Sequence, residues 1–308
     1  MRKAFKLFIP IILIITVITT ILNCKTEEKK PVENIKNEDS QKIEPNSTNL
    51  NVSLLLDLSD RINPTKYPNN AMEFFQRDVG YIKSVSEVFL EHLSAKKVRQ
   101  ANEKIELFFE PSPSNPEINT LSNKLKYPII KDNLSLDLLN DIENTYSKNP
   151  IEIYELAIKD DNYVGSDTWR FFKNKVSDYC LQEGHRNILV ILTDGYIYHK
   201  DTQLKEGNRS SYLTPQEIRK NKLNSSNWGE KMVNEDYGFV KIDVDLSDLE
   251  ILVLGINPDP KNVYEEDVIY EYWGKWFKEM NVKRFAIKQA DLPSNMDKII
   301  REFILDPV

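Results

Sequence analysis

The sequence predicts a doubly wound α/β domain: a mostly parallel sheet with helices on both faces. Three observations predict it. Residues 52–56, 188–192 and 249–256 are short, nearly continuous aliphatic runs, the pattern of strands covered on both faces. Between them lie segments whose apolar residues fall three and four apart, as in helices with one buried stripe. Strands alternating with helices from 50 to 308 then require a parallel sheet wrapped on both sides.

Taken in chain order, the first segment is separate from that domain. Arg2, Lys3 and Lys6 precede a mostly apolar stretch over 7–22, the charged and apolar regions of a secretory signal, shorter than a membrane-spanning helix usually needs. It ends at Ile21-Leu22-Asn23-Cys24, which resembles a bacterial lipobox, with Asn23 where that pattern prefers Gly, Ala or Ser. The resemblance implies a signal peptide over 1–23 and lipidation of Cys24, which would anchor the protein to a membrane of the bacterial cell envelope. Residues 24–49 are rich in Lys, Glu, Asn, Ser and Pro and lack aromatics, so they read as a disordered tether. Removing 1–23 takes away three positive charges and no negative one, moving the net charge from -7 to -10. An acidic chain of this kind is a poor partner for nucleic acid.

Within the domain, 71–93 carries Phe74, Phe75, Val79, Ile82, Val85, Val88, Phe89 and Leu93 at helical spacing. Residues 168–181 and the stretches "YEYWGKWFKEM" and "SNMDKIIREFIL" read as further helices. Weaker strands are expected at 104–109, 151–158 and 283–287. The interval 196–247 breaks the rhythm and reads as an insertion beside a strand end. It contains "LTPQEIRKNKL", a short helix with Thr214 as N-cap and Pro215 in its first turn. Only Cys24 and Cys180 are present, which excludes a disulfide framework once Cys24 carries lipid; Cys180 reads as a buried helix residue.

In a parallel sheet, ligands bind outside the carboxyl ends of the strands. The first strand delivers Asp57, Ser59, Asp60 and Arg61 there, and the strand ending at Leu192 delivers Thr193, Asp194 and Gly195. A third polar loop, "VGSDTWRFF", places Ser166, Asp167 and Thr168 at a helix start. Singly, such residues end strands, form turns or cap helices. Together they form a set of oxygen donors from three loops, the kind that hard cations prefer.

The D-x-S motif at 57–59, the Thr168 loop and the "TDG" at 193–195 together resemble the von Willebrand factor A (vWA) domain with its metal-ion-dependent adhesion site, over essentially 50–308. The resemblance implies a vWA-like fold and a Mg²⁺ or other divalent cation held by Asp57, Ser59, Thr168 and Asp194; beside that set, Asp60 or a water is the further oxygen available where Arg61 replaces the second serine. It implies a cation-dependent protein-binding module whose partner offers an acidic residue. The chain departs from the family's D-x-S-x-S at Arg61, which stands where the second serine belongs; a guanidinium cannot ligate a cation.

Other chemistry finds no pattern. His92, His185 and His199 form no zinc motif, and there is no Gly-rich phosphate loop or nucleophile elbow. Asp243, Asp245 and Asp248 lack the glycine and terminal Glu of a calcium loop. Neither a small-molecule substrate nor enzymatic activity is expected. A hydrolase using Asp57 as nucleophile is the weaker rival, since Ser59 stands where a second acid would be needed. A metal-free envelope scaffold is the stronger one: it overtakes the cation reading if Arg61 points into the cluster within hydrogen-bond reach of Asp57 or Asp194, whereas the cation reading gains if Arg61 points to solvent.

Overall fold

The computed structural model describes residues 48–163 and 165–306. The signal, most of the tether and Cys24 lie outside the described residues. The elements in order are β1 (Asn49–Leu56), α1 (Phe74–Ser94), β2 (Asn102–Phe109), α2 (Pro116–Asn123), β3 (Lys126–Ile130), α3 (Leu136–Asp160), α4 (Thr168–Asn174), α5 (Val176–Cys180) and β4 (His185–Leu192). Then follow β5 (Lys205–Glu206), β6 (Arg209–Ser210), α6 (Pro215–Lys220), α7 (Trp228–Asn234), β7 (Gly238–Phe239), β8 (Leu249–Ile256), α8 (Glu265–Glu279), β9 (Arg284–Gln289) and α9 (Pro293–Leu305).

Six strands form one sheet in the order β3-β2-β1-β4-β8-β9. All neighbours are parallel except β2 and β3. The order reverses between β1 and β4, so the crevice of a doubly wound sheet falls outside the ends of these two strands. This is the mixed α/β, Rossmann-like or vWA-like architecture that the aliphatic runs predict.

Side chains alternate between two cores. Leu50, Val52, Leu54 and Leu56 of β1 face a layer built from α1, α2, α3 and α9, whereas Leu55, with Leu189 and Ile191 of β4, faces α4, α5 and α8. Both layers exclude water from the central strands, which accounts for their lack of polar alternation. The second layer is aromatic: Phe172 and Phe239 lie 4.7 and 5.0 Å from Trp276, ring centre to ring centre. Phe239 belongs to the 196–247 insertion, so this segment is packed into the domain. It contributes a small three-stranded sheet, β5-β6-β7. Its helix α6 starts as the sequence implies, with the Thr214 hydroxyl accepting from the Glu217 N–H at 3.2 Å. Trp273 and Trp276 are buried.

Two expectations are corrected. Residues 151–158 are not a strand; they complete α3, which passes through Pro150. The buried positions there are Tyr146, Pro150, Ile153, Tyr154 and Ala157, spaced three and four apart, while Ile151 faces out. The proline and the alternating isoleucines disguise a helical stripe. The helix expected over 168–181 is two short helices that break at Lys175. β3, an antiparallel edge strand whose exposed residues obscure any strand pattern, was not anticipated at all.

Candidate functional site

Asp57 leaves β1 with its N–H still donating to Leu192 O across the sheet at 3.0 Å. Strand pairing therefore fixes its position directly. One carboxylate oxygen accepts from the Ser59 N–H at 2.8 Å and the other from the Thr193 hydroxyl at 3.0 Å. Asp57 is 4% exposed, and its ligands come from both loops of the crevice. The Thr193 hydroxyl in turn accepts from the Gly195 N–H at 3.2 Å. Gly195 is required here: its φ is +98°, and a Cβ would lie 2.7 Å from Ile269 Cγ2. Its carbonyl accepts from the Trp273 indole at 2.9 Å, tying the "TDG" turn to α8.

Arg61 points into the cluster. It is 5% exposed, and Nη2 donates to Asp78 Oδ2 at 2.5 Å and to Leu192 O at 3.0 Å. Its Nε lies 3.5 Å from Asp57 Oδ2. Burial opposes its charge, but Asp78 first and Asp57 next hold the guanidinium protonated beyond its usual range. Asp78 also accepts from the Tyr154 hydroxyl at 2.9 Å. Both partners are contributions the sequence reading missed. Asp78 carried a signal, since it sits on the stripe of Ile82 and Val85 where a charge must find a partner; Tyr154 was hidden in the misread helix.

The remaining predicted donors divide. Asp194 sits half-buried at the rim, where its Oδ1 accepts from the Tyr196 N–H at 3.0 Å. Burial and then the Asp57 charge push its carboxyl up to about 7. Ser59 serves through its backbone N–H. Asp60 turns outward to an ion pair with Lys66. Thr168 is 2% exposed, and its hydroxyl lies 3.2 Å from that of Ser166; among the described residues no hydrogen bond joins it to Asp57 or Asp194. Its loop does reach the same edge. Ser166 and Tyr198 exchange backbone hydrogen bonds at 2.9 and 3.1 Å, and Asp167 N donates to Glu110 O at 2.9 Å. Asp167, not Thr168, caps α4, accepting from the Arg170 N–H at 3.1 Å.

Beside these oxygens, then, lies a guanidinium hydrogen-bonded to Asp78 and ion-paired with Asp57, and a cation would have to share the space with it. Among the described residues no group of three or more His, Cys, Asp or Glu side chains is arranged to hold a metal ion. None of the described helices is long and apolar enough to cross a membrane.

No protein-family model matches the chain, and no curated protein matches it in sequence. Among solved structures it is similar to an aerotolerance-related membrane protein from Bacteroides fragilis NCTC 9343 carrying multiple mutations to serines: 12% identity and a TM-score of 0.36, over 83% of this chain and 98% of that one. It is also similar to the pilus adhesin SpaC from Lactobacillus rhamnosus GG, at 10% identity and a TM-score of 0.37. That likeness covers 83% of this chain and 30% of the adhesin.

Proposed function

We propose that this domain is a protein-binding scaffold of the bacterial cell envelope, tethered through lipid on Cys24, whose carboxyl-edge site is held together by Arg61 in place of a divalent cation. The observation that carries the reading is the buried Arg61 contact with Asp57 and Asp78. A guanidinium neutralises Asp57, one of the carboxylates a cation would be held by, and it does so from within the chain. Binding rather than turnover is supported by Asp57, which is buried and whose two oxygens each already accept a hydrogen bond from the domain. The chain enters the domain at the amino end of β1, where the Lys96 ammonium donates to Asn49 Oδ1 at 2.5 Å. The site therefore lies at the opposite end of the sheet from that entry.

Calorimetric titration with Mg²⁺ and Mn²⁺ tests the reading on wild type, Asp57→Ala and Asp194→Ala. The expected result is no saturable heat in any of them. A saturable heat in wild type that both substitutions abolish would restore the cation-dependent reading with Asp57, Ser59, Thr168 and Asp194 as ligands.

A further inference from the structure

We infer that the outer edge of β9 receives an extended segment of another protein as a seventh strand. The segment lays apolar side chains in the groove beside α8, with a basic residue at the end near Asp267 and Glu271 and an acidic one near Lys278. The inference goes beyond the Arg61 site and does not depend on whether a cation binds there.

The sheet has two edges, and the chain treats them differently. At the β3 edge Pro128 has no N–H to offer, its carbonyl accepts from the Asn133 amide at 2.9 Å, and the Ile130 N–H donates to Asn133 Oδ1 at 2.8 Å. One side chain of the following turn thus takes up backbone groups that another strand would need. β9 has only β8 beside it among the described residues. The Lys283 N–H donates to Leu249 O at 3.0 Å, so the alternation along a parallel strand aims the backbone N–H and C=O of Arg284 and Ala286 outward. No hydrogen bond uses those outward groups among the described residues. An edge left open in this way is a template for strand addition.

Beside this edge runs a groove of about 550 Å³, lined by Phe285 and Ile287 of β9, Tyr270 and Gly274 of α8, and Trp228 of α7. Phe285 and Ile287 belong to the α8 layer. Ala286 packs with the opposite layer yet also lines the groove, which therefore reaches the edge of the strand. A strand added there sends every second side chain into the groove, against the three aromatic rings, while its main chain bonds to β9. Gly274 keeps the space open: a Cβ at this position would meet only the Phe285 ring, at 3.8 Å.

Charge selects the occupant. α8 starts at the carboxyl edge, where Asp267 and Glu271 stand one turn apart on the groove, and Lys278 lies on it toward the amino edge. None of the three makes an ion pair among the described residues, so each is complementary to an opposite charge on the incoming segment. A second copy of the chain fits less well. Pairing β9 with itself antiparallel about Ala286 sets Lys288 opposite Arg284 of the second copy, and like charges directly opposed destabilise a sheet.

The test selects displayed random nine-residue peptides on the protein and synthesises the enriched sequence. That sequence should alternate apolar residues, carry opposite charges toward its two ends, and protect the Arg284 and Ala286 amides from hydrogen exchange. Ala286→Pro removes one outward N–H and leaves the pairing with β8, so it should weaken the peptide about tenfold, the loss of one ladder hydrogen bond. Gly274→Met fills the groove from a helix that gains by losing a glycine, and should also weaken it about tenfold. Thermal midpoints confirm that the variants fold, and either variant alone suffices. The absence of any enriched sequence, or a peptide that binds both variants as well as wild type, would overturn the inference. A wild-type dimer in sedimentation that Ala286→Pro dissolves would overturn it in favour of a second copy. The Mg²⁺ titration above bears on the Arg61 site alone, so the two readings fail separately.

Discussion

Arg61 Nη2 lies 2.5 Å from Asp78 Oδ2, across seventeen residues of sequence, and joins the loop after β1 to the second turn of the first helix. Both residues are almost fully buried. The pair brings charge where solvent cannot neutralise it, so it matters most when one member is lost. Breaking a buried ion pair costs about 3–5 kcal/mol because the remaining charge stays buried. Arg61→Met should therefore lower the stability of the domain by this amount, measured as the shift in urea midpoint at constant slope. Adding Asp78→Asn to Arg61→Met removes one orphaned charge and should recover part of the loss. An Arg61→Met protein as stable as wild type would mean that Arg61 does not hold the site together.

Arg61→Ser creates D-x-S-x-S at 57–61 while opening the space the guanidinium fills. Asp57, Asp78 and Asp194 would then share one cluster without a cation of their own. Arg61→Ser should fall in stability as Arg61→Met does, yet regain about 1–3 kcal/mol on adding Mg²⁺ at many times its dissociation constant. Arg61→Met, with no oxygen at that position, should regain less. Thermal midpoints with and without Mg²⁺ decide it, and equal responses in the two variants would show that the residue at position 61 does not govern cation access.

Much of this arrangement is visible in the sequence because it follows from local rules. Aliphatic runs bounded by polar residues located β1, β4 and β8, and their ends placed Asp57 and Asp194 on one edge. The Thr214-Pro215 start of α6 is purely local and reads directly. What stayed hidden depends on contacts between distant residues. Asp78 and Tyr154 meet Arg61 only after α1 and α3 pack on one face of the sheet. The direction of the Arg61 side chain, which separates the two functional readings, is decided by those partners. Thr168 sits beside the start of α4, where the neighbouring Asp167 does the capping and the Thr168 hydroxyl lies against that of Ser166.

At the amino edge, Glu250 is held by Arg186 through two hydrogen bonds, 2.8 and 2.9 Å, and also by Arg284. Arg186 donates in addition to Phe303 O at 2.7 Å, which ties the end of α9 to the sheet. Burial pushes the Glu250 carboxyl up, but the two guanidiniums outweigh it and hold it below its usual range. Its folded value therefore lies below its unfolded one. The stability it contributes is present above the unfolded carboxylate range near pH 4.5 and is lost as pH falls through the folded value. Glu250→Gln should be less stable at neutral pH by about 3 kcal/mol, since two cations lose their partner. The gap to wild type should narrow as pH falls below about 4.5. Melting curves across that range measure it, and a constant gap would contradict the ion-pair account. Glu103, held low by His92 and Lys96 against its burial, keeps some acid sensitivity in both proteins.

Cys180 ends α5 with no exposed surface, and burial pushes its thiol up to about 12. The reactive species is the thiolate, so native Cys180 is protected twice: almost none is ionised at neutral pH, and no reagent reaches it. In a Cys24→Ser background, so that only one thiol remains, an aromatic disulfide reagent should leave the native domain unmodified and react fully in denaturant. At intermediate denaturant the rate should follow the open fraction of the protein. The same rate reports on the distant site. Arg61→Met, which lowers global stability without touching Cys180, should speed modification under native conditions by the factor its urea shift implies, about tenfold for each 1.4 kcal/mol. A Cys180 rate unchanged in Arg61→Met despite a lower urea midpoint would show that α5 opens locally, independently of the layer that Arg61 supports.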